Sequence, residues 1–304
     1  QKTAYEIYQC DWSSDVCSSD LTACLPDPDA ALARMAEDYI AQRYEHAPGR
    51  RPAPGHVSAV FGAAVQRAFG GTTDAVLTHP RWRTHIVASR GRLLLARPGR
   101  WRTPVGYLGA FVANAAHRRA LGFWLERVVF SDPREPLPFP LDDYRSQQVA
   151  LRADNLGRAV LASCSIPFWL DAVDGIDGAP AGTYWDGGLT DYHLHLNYAA
   201  MGSGLVLYPH FQTAVVPGWL DKPWRRRHRA SRCLDNVVVL SPRAEWVRSL
   251  PGAKLPDRND FKAWGDDVEG RMRVWRRALA ESRRLADEFA EIVARPSVDA
   301  LPLA

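Results

Sequence analysis

No uninterrupted apolar stretch in these 304 residues approaches the roughly 20 that a membrane-crossing helix requires, which excludes a helical membrane span. Cysteine is scarce. The chain has five, with no Cys-x-x-Cys pair and no Cys/His spacing of a zinc site, so neither a disulfide framework nor structural zinc is expected. Internal repeats and low-complexity tracts are missing too, and no nucleic-acid-binding motif accompanies the basic residues. No cofactor and no nucleic-acid partner are therefore expected. What is present is ordinary for a globular protein: 46% hydrophobic and 24% charged residues, in a length that suits one large domain or two small ones. The thiols fit a reducing cytoplasm.

Residues 1–21 stand apart. Residues 1–7 resemble the translation of a short-read sequencing adapter, and residues 10–21 resemble its continuation in the same frame, with an index-sized gap between. Such a segment is set aside from fold reasoning, and the natural sequence is expected to begin near Thr22. Removing it leaves Cys24, Cys164 and Cys233. It also takes away one lysine and four acids, so the net charge rises from +4 to +7. A basic surface of this size suits an Arg-rich solvated exterior or an anionic partner such as a membrane.

Apolar periodicity predicts helices over 29–44, with Asp27 or Asp29 as cap, and over 56–69, 105–121 and 155–163. Short apolar runs at 84–89, 93–96, 127–130, 182–185, 205–208 and 236–240 predict strands, the last two buried on both faces. The proline-rich stretch 132–141 reads as a loop. A charged helical region at 260–294 carries an apolar face built from Trp264, Val268, Met272, Trp275, Leu279, Leu285, Phe289 and Ile292, and is expected to close over the body. Helices alternating with apolar strands argue for an α/β layered domain with a largely parallel sheet, spanning 22–304.

The chemistry points to 162–193. Ala-Ser-Cys-Ser-Ile-Pro at 162–167 is followed by Thr-Tyr-Trp-Asp-Gly-Gly-Leu at 183–189. A strand ending in Asp186-Gly187-Gly188 puts a carboxylate at a strand's C-terminal end, where open α/β sheets carry their sites. The two glycines permit a tight turn and the close approach of another backbone. By itself Asp-Gly-Gly is a common turn. The wider pattern, Ala-Ser-x-x-Ile-Pro and then Tyr-x-Asp-Gly-Gly, resembles the second half of the patatin-like phospholipase domain, over residues 22–240.

That resemblance implies a three-layer α/β/α domain with a mostly parallel sheet. It implies a lipid acyl hydrolase working through a Ser–Asp dyad, with no catalytic histidine. The family's nucleophile lies in Gly-x-Ser-x-Gly, an upstream glycine-rich loop forms the oxyanion hole, and Asp186 matches the dyad Asp. The chain departs from the family at one point: it contains no Gly-x-Ser-x-Gly. Gly202-Ser203-Gly204 has the wrong spacing and follows the Asp motif instead of preceding it. The expectation is a chain lacking the N-terminal strand or strands and the nucleophile turn, inactive as it stands. A non-catalytic lipid-binding or regulatory relative, and an unrelated α/β protein with a chance Asp-Gly-Gly, remain alternatives.

Other residues draw plainer readings. Ser163 and Ser165 are expected to bond backbone near a helix end. Asp191 reads as a turn or capping group. His193 and His195 alternate as along a strand and lack a third ligand, so packing or surface roles are expected. Trp224, Arg225, Arg226 and Arg227 combine an aromatic anchor with cations. They are a candidate peripheral membrane contact for a lipid or acyl-ester hydrolase, alongside the reading as a solvated loop.

Overall fold

The computed structural model describes residues 19–46, 52–135, 137–202, 204–295 and 300–303. The helices are α1 (Pro28–Ile40), α2 (Pro54–Phe69), α3 (Thr73–Leu77), α4 (Arg102–Ala116), α5 (Leu156–Ser163), α6 (Gly188–Asp191), α7 (Ala244–Ser249), α8 (Asn259–Trp264) and α9 (Val268–Ala294). The strands are β1 (His85–Gly91), β2 (Leu125–Ser131), β3 (Ser146–Ala150), β4 (Val173–Asp174), β5 (Thr183–Asp186), β6 (Val206–Pro209) and β7 (Val237–Leu240).

The main sheet has the order β3-β2-β1-β5-β4. It is mixed. β1 runs antiparallel to β2 and β5, β4 runs antiparallel to β5, and only β2–β3 is parallel. The expectation of a mostly parallel sheet rested on helices alternating with short apolar strands and on the family resemblance; β2, for one, is buried at every position. Burial on two faces does not encode strand direction, so an antiparallel neighbour is equally compatible.

Helices cover both faces. On one, Val57, Phe61 and Val65 of α2 and Leu156, Ala159 and Val160 of α5 pack on Ile86, Ala88, Val128, Phe130 and Tyr184. On the other, Tyr107 and Ala110 of α4 join Leu95, Leu121, Leu125, Trp185, Leu189 and Leu220. Leu21 and Cys24 belong to the first core; residues 1–18 lie outside the described residues.

Most predicted elements appear with shifted ends. Asp27 caps α1, its carboxylate accepting from the Ala30 N–H at 3.0 Å. The run 93–96 is a 3-10 turn, not a strand: Arg92 N–H bonds Trp124 O and the chain then folds inward to bury Leu95. β6 and β7 form a separate two-stranded parallel sheet, and all four β7 residues are only half-buried, where burial on both faces was expected. β3 and β4 carried no apolar signal. The C-terminal helical region breaks at Gly265, with φ of 51°, into α8 and α9. Met272 and Trp275 bury against Ile40, Tyr39 and Phe261, whereas Leu285, Phe289 and Ile292 are only half-buried.

Candidate functional site

The two halves of the motif, some twenty residues apart in the chain, are joined by backbone hydrogen bonds. Asp186 N–H donates to Ser165 O at 3.0 Å, and Gly187 N–H to Ser163 O at 3.3 Å. Pro167 follows two residues after Ser165, and the chain leaving α5 is held against the end of β5. Asp186 pairs with Ala88 of β1 and is buried. Its Oδ1 accepts the Gly188 N–H at 2.6 Å, an Asx turn that starts α6.

The expected close approach is at Gly187. A Cβ there would lie 2.2 Å from Val87 O, so β1's backbone occupies the space a side chain needs. Gly187 has φ of −61°, so proximity and not left-handed geometry calls for glycine. Above the turn, Tyr107 packs edge-on against Trp185, with ring centroids 5.8 Å apart. Its buried hydroxyl has no hydrogen-bond partner among the described residues. Burial, and then the negative charge of Asp186, pushes that phenol well above its usual range.

Beneath the turn lies a charged network that sequence reasoning missed. Arg127, fully buried in β2, donates from Nε to Asp191 Oδ2 at 2.7 Å and from Nη2 to Asp191 Oδ1 at 2.5 Å. It also reaches Asp143, and Tyr144 OH donates to Asp191 Oδ2 at 3.0 Å. Burial alone would raise the Asp191 carboxyl; the Arg127 charge and hydrogen bonds override it and hold it below the usual carboxylate range. Asp191 is thus a buried ion-pair partner and not the turn or capping group expected. The available signal was a charge pair, Glu126-Arg127, inside an apolar strand pattern, since such groups require partners. Glu126 finds Arg90 and Arg145.

Ser165 behaves as expected, its hydroxyl donating to Leu161 O at 2.8 Å, and Ser163 contributes its carbonyl. His193 and His195 do not lie on a strand. His193 Nδ1 accepts from Val216 N–H at 2.9 Å and its ring meets His210 edge-on, whereas His195 meets Ser231. No group of three or more His, Cys, Asp or Glu suited to a metal occurs among the described residues.

In the basic segment, Trp224 stacks on Phe111 at 5.9 Å and Arg227 is tied to Asp221 and to Ala115 O, so both serve the fold. Arg225 and Arg226 remain exposed. No helix among the described residues is long and apolar enough to cross a membrane. No known family model, curated protein or solved structure matches the chain.

Proposed function

We propose that Asp186-Gly187-Gly188 is the carboxylate half of a Ser–Asp acyl-hydrolase dyad acting on lipid or acyl esters in a patatin-like domain. The nucleophilic serine then lies outside these 304 residues. The observation that carries the reading is the joining of 162–167 to 183–188 by the Asp186 and Gly187 backbone bonds, which fixes one carboxylate at a strand end. In the proposed reaction the serine oxygen attacks the ester carbonyl while Asp186 takes its proton. The alcohol leaves with that proton, and water then hydrolyses the acyl-enzyme by the same route. A serine hydroxyl is a weak nucleophile unaided, so the adjacent base is required. Tyr107, over the same turn, is a candidate for shaping the carboxylate's surroundings.

The test uses p-nitrophenyl ester hydrolysis. This chain is expected to show no turnover. A chain extended upstream through its native reading frame is expected to hydrolyse the ester and to lose that activity on Asp186→Ala. Activity indifferent to Asp186→Ala would end the proposal, as would a native upstream segment without a Gly-x-Ser-x-Gly serine.

A further inference from the structure

The outward face of α4 is apolar where a solvated helix is polar. Trp101, just before the helix, is 73% exposed, and Val105, Leu108 and Val112 are 49%, 62% and 59% exposed. At about 100° per residue these four positions fall within about 60° of one another, a single stripe along the helix. The opposite face, with Thr103, Gly106, Tyr107, Ala110 and Asn114, is buried. Scattered exposed apolar residues are normal, but an ordered stripe marks an interaction surface.

Along the chain, the charge flanking the stripe is one-signed. Residues 91–125 contain six arginines and no acid. Arg97, Arg100, Arg102 and Arg119 are exposed and form no ion pair among the described residues. Arg225 and Arg226 add two further exposed cations beside the helix, because the Trp224–Phe111 stack and the Arg227–Ala115 bond hold their segment to α4.

We propose that the Trp101–Val105–Leu108–Val112 face of α4 docks on an anionic phospholipid surface. The stripe inserts at the headgroup–acyl boundary, Trp101 sits at the interface that indole favours, and the arginines meet lipid phosphates and carboxylates. A second copy of the chain is disfavoured as occupant, since it would set unpaired arginines against their own kind. The inference stands independently of the assignment of Asp186, which lies among buried residues on the helix's inner side.

The test is co-sedimentation of the full chain with phosphatidylserine-containing vesicles and with phosphatidylcholine vesicles. Binding to the anionic vesicles, weakened by salt, is expected. Leu108→Glu/Val112→Glu should weaken it at least about tenfold, with an unchanged circular dichroism spectrum. Arg100→Gln/Arg102→Gln should weaken it and flatten its salt dependence, and Asp186→Ala should bind as the parent does. Two results overturn the proposal. One is equal vesicle binding by the parent and Leu108→Glu/Val112→Glu. The other is absence of vesicle binding, whether or not light scattering shows self-association, or capture of an acidic protein, that the same variant abolishes.

Discussion

Arg127 and Asp191 are 64 residues apart in sequence and form a two-bond ion pair in which neither side chain reaches solvent. The pair ties β2 to the short helix that follows the Asp186 turn. Removing one partner strands a buried charge. Asp191→Ala should cost about 3–5 kcal/mol in urea unfolding, and Arg127→Met a similar amount. Arg127→Met/Asp191→Leu should cost markedly less than the sum of the two, because no fully buried charge is then left unpaired, Asp143 being part-exposed. A loss under about 1 kcal/mol for Asp191→Ala would mean that the pair does not hold the turn.

Gly187 and Gly157 make a matched test of why glycine is present. The Gly187 position is filled by Val87 O, so Gly187→Ala must push two backbones apart and should destabilise by about 2 kcal/mol or more. Gly157 sits exposed in α5 with nothing within 4 Å of a would-be Cβ. There alanine should stabilise by about 0.5–1 kcal/mol through helix propensity. Equal effects at the two positions would refute the close-approach account of the Asp-Gly-Gly turn.

Acid should unfold the protein early. Burial, and then the neighbouring His210, pushes the His193 imidazole down to about 2. The same imidazole in the unfolded chain takes a proton near pH ~6.5. Between those values the unfolded state binds the extra proton, so stability present above pH ~6.5 is lost as pH falls, by about 1.4 kcal/mol per pH unit for this group. His85, His195 and His210 are lowered by burial too and act in the same direction. His193→Asn, which retains an acceptor for Val216 N–H, should flatten the fall in Tm between about pH 7.5 and about pH 5.5. A slope identical to the parent's would count against His193 as a contributor.

Glu126 gives a second measure of buried charge. Burial raises its carboxyl, and hydrogen bonds from Arg145 and Arg90 outweigh that and hold it below the usual range. Glu126→Gln keeps the shape and removes the charge, leaving Arg90 and Arg145 without their shared anion. A loss of about 1.5–3 kcal/mol is expected, read as a lower urea midpoint at unchanged m. An unchanged midpoint would show that solvent already neutralises the cluster.

Much of the candidate site was legible because its chemistry is local. Asp186 caps its own turn two residues on, and the need for glycine at 187 was visible as Asp-Gly-Gly. Asp191 and Arg127 were not recognised as partners, since a charge inside a strand announces that it needs a counter-charge without saying which one. Tyr107 carried no signal at all: it is one residue of an Ala- and Gly-rich helix, and only packing brings it over Trp185. The misread strand at 93–96 has a similar cause. Four apolar residues suit a buried strand or a buried turn, and length cannot separate them.

The amino-acid order alone determined what contiguous residues decide: the start of α1 at Asp27, the apolar runs that became β1, β2 and β5, and the tight turn after Asp186. These follow from backbone preferences and side-chain periodicity acting over a few residues. Tertiary structure decided the antiparallel pairing of β1 with both neighbours, the Arg127–Asp191 pair and the exposure of α4's apolar face. Each of these depends on which distant surfaces meet, and a strand or helix buried on a given side carries the same local pattern whichever partner covers it.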